Sequence, residues 1–163
     1  MRRNVQQLPE NECLRILESA TSGVLALLGD EGYPYAVPIS FVYTEGKIYF
    51  HSAVSGHKID AINAYGKASF CIIEQDEVVP ERYTTKYRSI IAFGTIGVVE
   101  DEAEKIKSGV LLGQKYAPYP VQEIEKKVVD SLHRMHMIRL DIEHLTGKEG
   151  MQIIRERREK EGV

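Results

Sequence analysis

The sequence predicts a mainly β fold with peripheral helices (α+β): an antiparallel barrel of six strands in one domain over residues 1–163. Three observations predict it. Candidate strands at residues 24–28, 35–43 and 48–52 follow one another through turns of a few residues, which suits antiparallel neighbours. Helical periodicity does not follow every strand, so a doubly wound parallel sheet does not fit. A chain of 163 residues has room for one sizeable core and little else.

Residues 9–20 read as the first helix. Pro9 suits a first-turn position, Glu10 and Glu12 favour the positive end of the dipole, and Cys13, Leu14, Leu17 and Ala20 share a face. The apolar strand 24–28 leads into a hairpin turn, Gly29-Asp30-Glu31-Gly32. Strand 35–43 mixes β-branched and aromatic residues around Pro38, which cannot donate to a ladder and so marks an edge or a bulge. A second tight turn, Glu45-Gly46-Lys47, returns the chain into strand 48–52.

Residues 55–65 switch to helical spacing, with Ile59 and Ile62 on one face, Ser55 placed to cap the start and Gly66 placed at the end. Strands 68–74 and 87–99 flank a polar stretch, 75–86, expected as a loop or an irregular strand extension. Gly94 and Gly97 are expected where the long strand bends. Residues 101–116 read as a helix capped by Asp101. Residues 121–132 read as another, striped by Val121, Ile124, Val128 and Leu132. Alternation at 135–142 gives the last strand, Thr146-Gly147-Lys148 a turn, and 149–161 a terminal helix.

The composition narrows the function. A net charge of −3 argues against nucleic acid, which draws a basic face. The positives from Arg155 to Lys160 are interleaved with glutamates, as on a solvated helix face. Cys13 and Cys71 read as structural thiols in a reducing compartment. Neither CxxC nor HExxH occurs, and His133, His136 and His144 lack ligand spacing, so no metal is expected. The Met1-Arg2-Arg3-Asn4 start leads into polar residues and no apolar run could span a bilayer. The expectation is a cytoplasmic protein with no membrane partner.

The run Ile48-Tyr49-Phe50-His51-Ser52-Ala53-Val54-Ser55-Gly56-His57-Lys58 carries the strongest chemical signal. It has the form strand, short polar loop, helix start. Unpaired amides and dipole at a helix N-terminus favour an anion, and Lys58 in the first turn has the wrong sign for the helix itself. A docked anion resolves that conflict; an ordinary connection with an exposed lysine is the plainer alternative. Ser52, Ser55 and His57 could add hydrogen bonds. His51 reads either as a bonded strand histidine or as an imidazole over a bound ring, able to donate a proton. A second cluster, from Tyr83 to Ser89, reads either as a solvated edge or as a wall contributed across a subunit interface.

Four segments in this order carry a resemblance: Tyr35-Ala-Val-Pro-Ile-Ser-Phe-Val-Tyr43, Lys47-Ile-Tyr-Phe-His-Ser-Ala53, Gly56-His-Lys58 and Tyr87-Arg-Ser-Ile-Ile-Ala-Phe-Gly94, with Leu145-Thr-Gly-Lys148 closing. Together the chain resembles the FMN-binding split-barrel superfamily of pyridoxamine 5′-phosphate oxidase, in the branch related to nitroimidazole-resistance proteins. The resemblance implies a homodimer with FMN at the subunit interface. It implies ring contacts from Ile39, Ser40 and Phe41. It places the ribityl chain and phosphate at His51, Ser52, Ala53, His57 and Lys58, with Ser89 and Tyr87 supplied by the partner. It implies His51 as the catalytic residue.

The chain departs from the oxidase proper. Pro38 and Tyr43 stand where that enzyme carries an arginine and a lysine, and the absence of Trp removes its C-terminal substrate motif. The resemblance therefore implies an FMN-binding flavoprotein acting as an oxidoreductase on a small electron-poor substrate, for example a nitroaromatic. The alternatives are a non-catalytic flavin-binding or sensor module, or a related barrel holding haem or deazaflavin.

Overall fold

The computed structural model describes residues 4–162; the Met1–Arg3 start considered above lies outside them. In chain order the elements are α1 (Glu10–Ser19), β1 (Ser22–Leu28), β2 (Pro34–Ser40), β3 (Val42–Thr44), β4 (Lys47–Ala53), α2 (His57–Ala64), β5 (Lys67–Val79), β6 (Thr84–Val98), α3 (Glu102–Tyr116), α4 (Val121–Ser131), β7 (Met135–Glu149) and α5 (Met151–Glu161). Among the described residues, no helix is long and apolar enough to cross a membrane.

Among the described residues the strands form one antiparallel sheet of seven, in the order β2-β1-β5-β6-β7-β4-β3. The expected count of six is corrected because the segment 35–43 is two strands. β2 ends at Ser40 on one edge of the sheet, and β3 begins at Val42 on the other. Only Phe41 separates them. Consecutive Cα atoms lie about 3.8 Å apart, so the sheet must roll until its edges meet at this residue. Pro38 lies on the edge strand β2, opposite Val24, where its missing donor costs the ladder nothing.

The inside of the roll is the main core. Phe41, Phe50 and Phe70 are fully buried there, with Phe70 set edge-on to the other two at 4.8 and 5.1 Å between ring centres. Ile16 and Leu17 of α1 and Ile59 and Ile62 of α2 complete it. A smaller cluster of Val42, Tyr49, Val99, Leu112 and Met137 forms on the opposite face, under α3.

Local expectations divide. Residues 75–86 take the second of their two expected forms, an irregular strand extension: β5 and β6 pair out to Val79 and Thr84, after an irregularity between Ile73 and Gln75, and a short 3-10 turn at Pro80–Arg82 joins them. The expected turn at 146–148 is strand, with Gly147 opposite Ile90. Gly147 is there for space, because a Cβ would stand 2.5 Å from the Cys13 sulfur. Gly94 does mark a register shift, and its Cβ would lie 1.9 Å from the Asp141 carbonyl oxygen, whereas Gly97 faces open space. Ser55 makes no capping bond; Gly56 takes the N-cap position at φ 126°. Gly66 is not left-handed, since α2 ends on extended Tyr65. Asp101 caps α3 as expected, its Oδ1 accepting the Glu104 amide at 2.7 Å.

Candidate functional site

β4 sorts the predicted site residues by parity. Successive side chains on a strand point to opposite faces. Ile48, Phe50 and Ser52 therefore share the inner face, and Tyr49, His51 and Ala53 the outer one. The packing agrees: Ile48 and Phe50 join the main core, and Tyr49 joins the cluster beneath α3. His51 is exposed and Ser52 is buried.

The inner side ends in a cationic corner. The Lys58 ammonium donates to the Ser52 hydroxyl at 3.3 Å. Among the described residues no carboxylate pairs with it. Burial pushes its pKa below the ordinary lysine value, since the charged form loses water without gaining a counter-charge. In α2 the first amide to find an acceptor within the turn is that of Ile59, bonded to the Gly56 carbonyl at 2.8 Å, so the helix gives those of His57 and Lys58 none. The His57 side chain turns elsewhere. Its Nδ1 lies 3.2 Å from Asp30, and its ring stands edge-on to Tyr35 at 4.3 Å. Both contacts join α2 to the β1–β2 hairpin, at an exposed position.

The outer side forms a chamber of about 400 Å³. His51, Met135 and Met137 make its floor, Ser40 its edge, and Leu112, Tyr116 and Val128 its walls. Register places His51 directly opposite Met137, and Ala53 opposite Met135. The roof depends on Gly109 and Gly113, which let α4 close on α3. A Cβ on Gly113 would lie 2.4 Å from the Ile124 Cγ2, and one on Gly109 2.8 Å from a Val128 methyl. α3 is fixed over the floor by Glu104. It accepts the Tyr49 hydroxyl at 2.7 Å and takes Arg139 through both carboxylate oxygens at 3.0 Å. Those bonds hold the Glu104 carboxyl below its usual pKa, with the Tyr49 hydroxyl the largest cause. Burial and that same bond raise the Tyr49 phenol.

The remaining predicted residues divide. Ser40 meets His51 in the chamber. Ile39 and Phe41 pack with the core instead. The Phe41 backbone is also occupied, because the Tyr116 hydroxyl accepts its N–H at 3.0 Å and lies 2.8 Å from its carbonyl oxygen. Tyr87 and Ser89 are not in this site. Ser89 pairs with Lys148 of β7 and His51 with Met137, eleven residues away along that strand. At about 3.3 Å per residue that is about 35 Å of strand. The Tyr87 hydroxyl accepts a bond from Gln6 at 3.3 Å.

The sequence reading missed the helical half of the chamber. Gly109 and Gly113 were the available signal: glycine costs about 1 kcal/mol within a helix and usually has a packing reason. Among the described residues no group of His, Cys, Asp and Glu could hold a metal ion.

A rolled antiparallel sheet thus carries a cationic strand-to-helix corner on one face of β4 and an apolar chamber on the other. The family is identified by sequence: residues 9–149 match the model described as pyridoxamine 5′-phosphate oxidase, and the chain belongs to that family. No curated protein matches the chain. Solved structures share its fold. A candidate 5-nitroimidazole antibiotic resistance protein from Bacteroides thetaiotaomicron is 19% identical, with TM-score 0.73 over 88% of this chain and 86% of that one. A conserved hypothetical protein from Mycobacterium tuberculosis is 19% identical, with TM-score 0.77 over 90% and 88%. An FAD and haem binding protein from Mycobacterium smegmatis is 22% identical, with TM-score 0.71 over 89% and 73%.

Proposed function

We propose that this chain is an FMN-binding split-barrel flavoprotein that works as a homodimer and reduces a small electron-poor substrate. One observation carries the reading. The Lys58 ammonium is half-buried, hydrogen-bonded to Ser52, and faces no carboxylate among the described residues. A terminal phosphate supplies the missing charge, and the first-turn amides of α2 supply donors. The family match supports a flavin, as does the flavin named for the Mycobacterium smegmatis protein of the same fold.

The residues present fit such a group. Lys58 and Ser52 would hold the phosphate, with Ala53 lining the loop that leads to it. Ser40 and His51 would border the ring. FMN, when bound, supplies the redox chemistry, while the protein supplies position and electrostatics. The His51 imidazole, at the chamber floor, is the group placed to hand a proton to a substrate there.

A dimer accounts for Tyr87 and Ser89. They stand too far from His51 to serve the same subunit's site, so they would close the site of a second copy. On their face of the sheet, Val24, Cys71 and Ile91 line up by register with exposed Ile73 and Phe93. An apolar strip of that kind suits a self-complementary two-fold contact.

The test is anaerobic. Purified protein with FMN is reduced with dithionite and mixed with 1,4-dinitrobenzene or buffer alone, and light scattering gives its mass. The reading expects a dimer whose flavin is reoxidised faster by the nitroaromatic, with the gain lost in His51→Ala. Bound flavin without acceptor-dependent reoxidation would leave a binding module and remove the enzyme.

A further inference from the structure

We propose that the chamber between β4, β7, α3 and α4 is the substrate pocket, and that it takes an uncharged, largely apolar, ring-sized molecule with one hydrogen-bonding group. This rests on the flavin reading above. It goes further in naming a substrate class, one that excludes phosphorylated and carboxylated compounds.

Charge is the first argument. Leu112, Val128, Met135 and Met137 are apolar, and among the described residues no lysine or arginine lines the chamber. The nearest cation in sequence, Lys115, is not part of the lining; its ammonium sits 4.0 Å over the Phe41 ring and 5.8 Å over the Tyr116 ring, buried between aromatic faces. Lys58 serves the opposite face of β4, beside Ser52. An anion seated there would give up part of its water and meet no lysine or arginine side chain in the lining, only the His51 imidazole, so its charge would be poorly compensated.

The polar groups are the second argument. Three residues could offer one: Ser40, His51 and Tyr116. The Tyr116 hydroxyl is committed to the backbone of Phe41 and lies near the Thr21 carbonyl. Ser40 and His51 have no side-chain hydrogen bond among the described residues, and both lie on the sheet side. A ligand would therefore place its polar group toward the sheet and its apolar body between the helices.

Size is the third. About 400 Å³ is within the range of small-molecule sites and suits one or two fused rings. Gly109 and Gly113 set that volume, because side chains there would collide with α4.

The probes are 2-naphthol and 2-naphthoate, alike in shape and different in charge. The chain has no tryptophan, so naphthyl fluorescence is read without indole emission. FMN uptake is measured on the same samples. The expectation is that FMN-loaded protein binds 2-naphthol at least about tenfold tighter than 2-naphthoate, as an unpaired buried charge requires. Ser40→Lys, a change at the chamber edge, is expected to narrow that ratio several-fold. Equal affinity, preference for the carboxylate, or binding of neither overturns the proposal. Displacement of FMN by 2-naphthol also overturns it, since the flavin ring would then own the chamber. FMN uptake without the naphthol preference defeats only the pocket. The preference without FMN uptake defeats only the flavin reading.

Discussion

The Tyr116 hydroxyl bridges the backbone of Phe41, accepting its N–H at 3.0 Å and lying 2.8 Å from its carbonyl oxygen. Phe41 is the one residue between the two edge strands of the sheet, so it has no ladder partner on either side. A helix residue therefore supplies the hydrogen bonds that the roll withdraws. The same side chain forms a wall of the chamber.

Tyr116→Phe should consequently cost about 1–3 kcal/mol, the penalty for leaving buried backbone groups unpaired. At about 2–4 °C per kcal/mol for a chain this size, the melting temperature should fall measurably. Urea unfolding followed by circular dichroism checks it, and an unchanged midpoint would mean water replaces the hydroxyl.

Gly113→Ala should destabilise the protein, against the usual sign. In an open helix this change gains about 1 kcal/mol. Here the added methyl meets the Ile124 Cγ2 at 2.4 Å, and overpacking costs about 1–3 kcal/mol. A thermal melt decides between the two signs.

Acid should release α3 from the sheet. The Glu104 carboxyl titrates below its ordinary value of 4.5 in the folded protein, chiefly through the Tyr49 hydroxyl and then Arg139. Its contribution is complete above pH 4.5 and is lost as pH falls through the lower folded value. Glu104→Gln should flatten that part of the stability curve while leaving the neutral-pH slope unchanged. Unfolding midpoints taken from neutral pH downward test this, and superimposable curve shapes would count against it.

Lys58→Ala should weaken FMN binding by about 1.5–3 kcal/mol, the range for hydrogen bonds to charged groups. That is roughly tenfold to somewhat over a hundredfold in Kd. Isothermal titration of both proteins measures it; equal affinities would make Lys58 a packing residue only.

The sequence exposed much of this and hid a definable part. Turn residues and strand alternation located the β1–β2 and β3–β4 hairpins, because such signals act within a few residues. The Asp101 cap and the α4 stripe were legible for the same reason. The break at Phe41 was not, since it arises from closure of the whole sheet while the local pattern reads as one strand. Gly147 misled in the opposite direction: glycine suggested a turn, but its role is to make room for Leu8 and Cys13, over 130 positions away in sequence. At the candidate site, the sequence reading treated His51 to Lys58 as a unit, whereas the structure sets His51 in the chamber and Ser52 with Lys58 on the other face of β4. Its division into two faces followed from strand parity and could have been read in advance. The apolar roof could not, because it needs α3 and α4 to be known as neighbours.

The most direct test is to strip the purified protein of small molecules and titrate it with FMN while recording the visible spectrum. Saturable binding at micromolar concentrations, with a perturbed flavin band and one FMN per chain, is the expected result. A protein that stays colourless and leaves the FMN spectrum unchanged would contradict the account at its root.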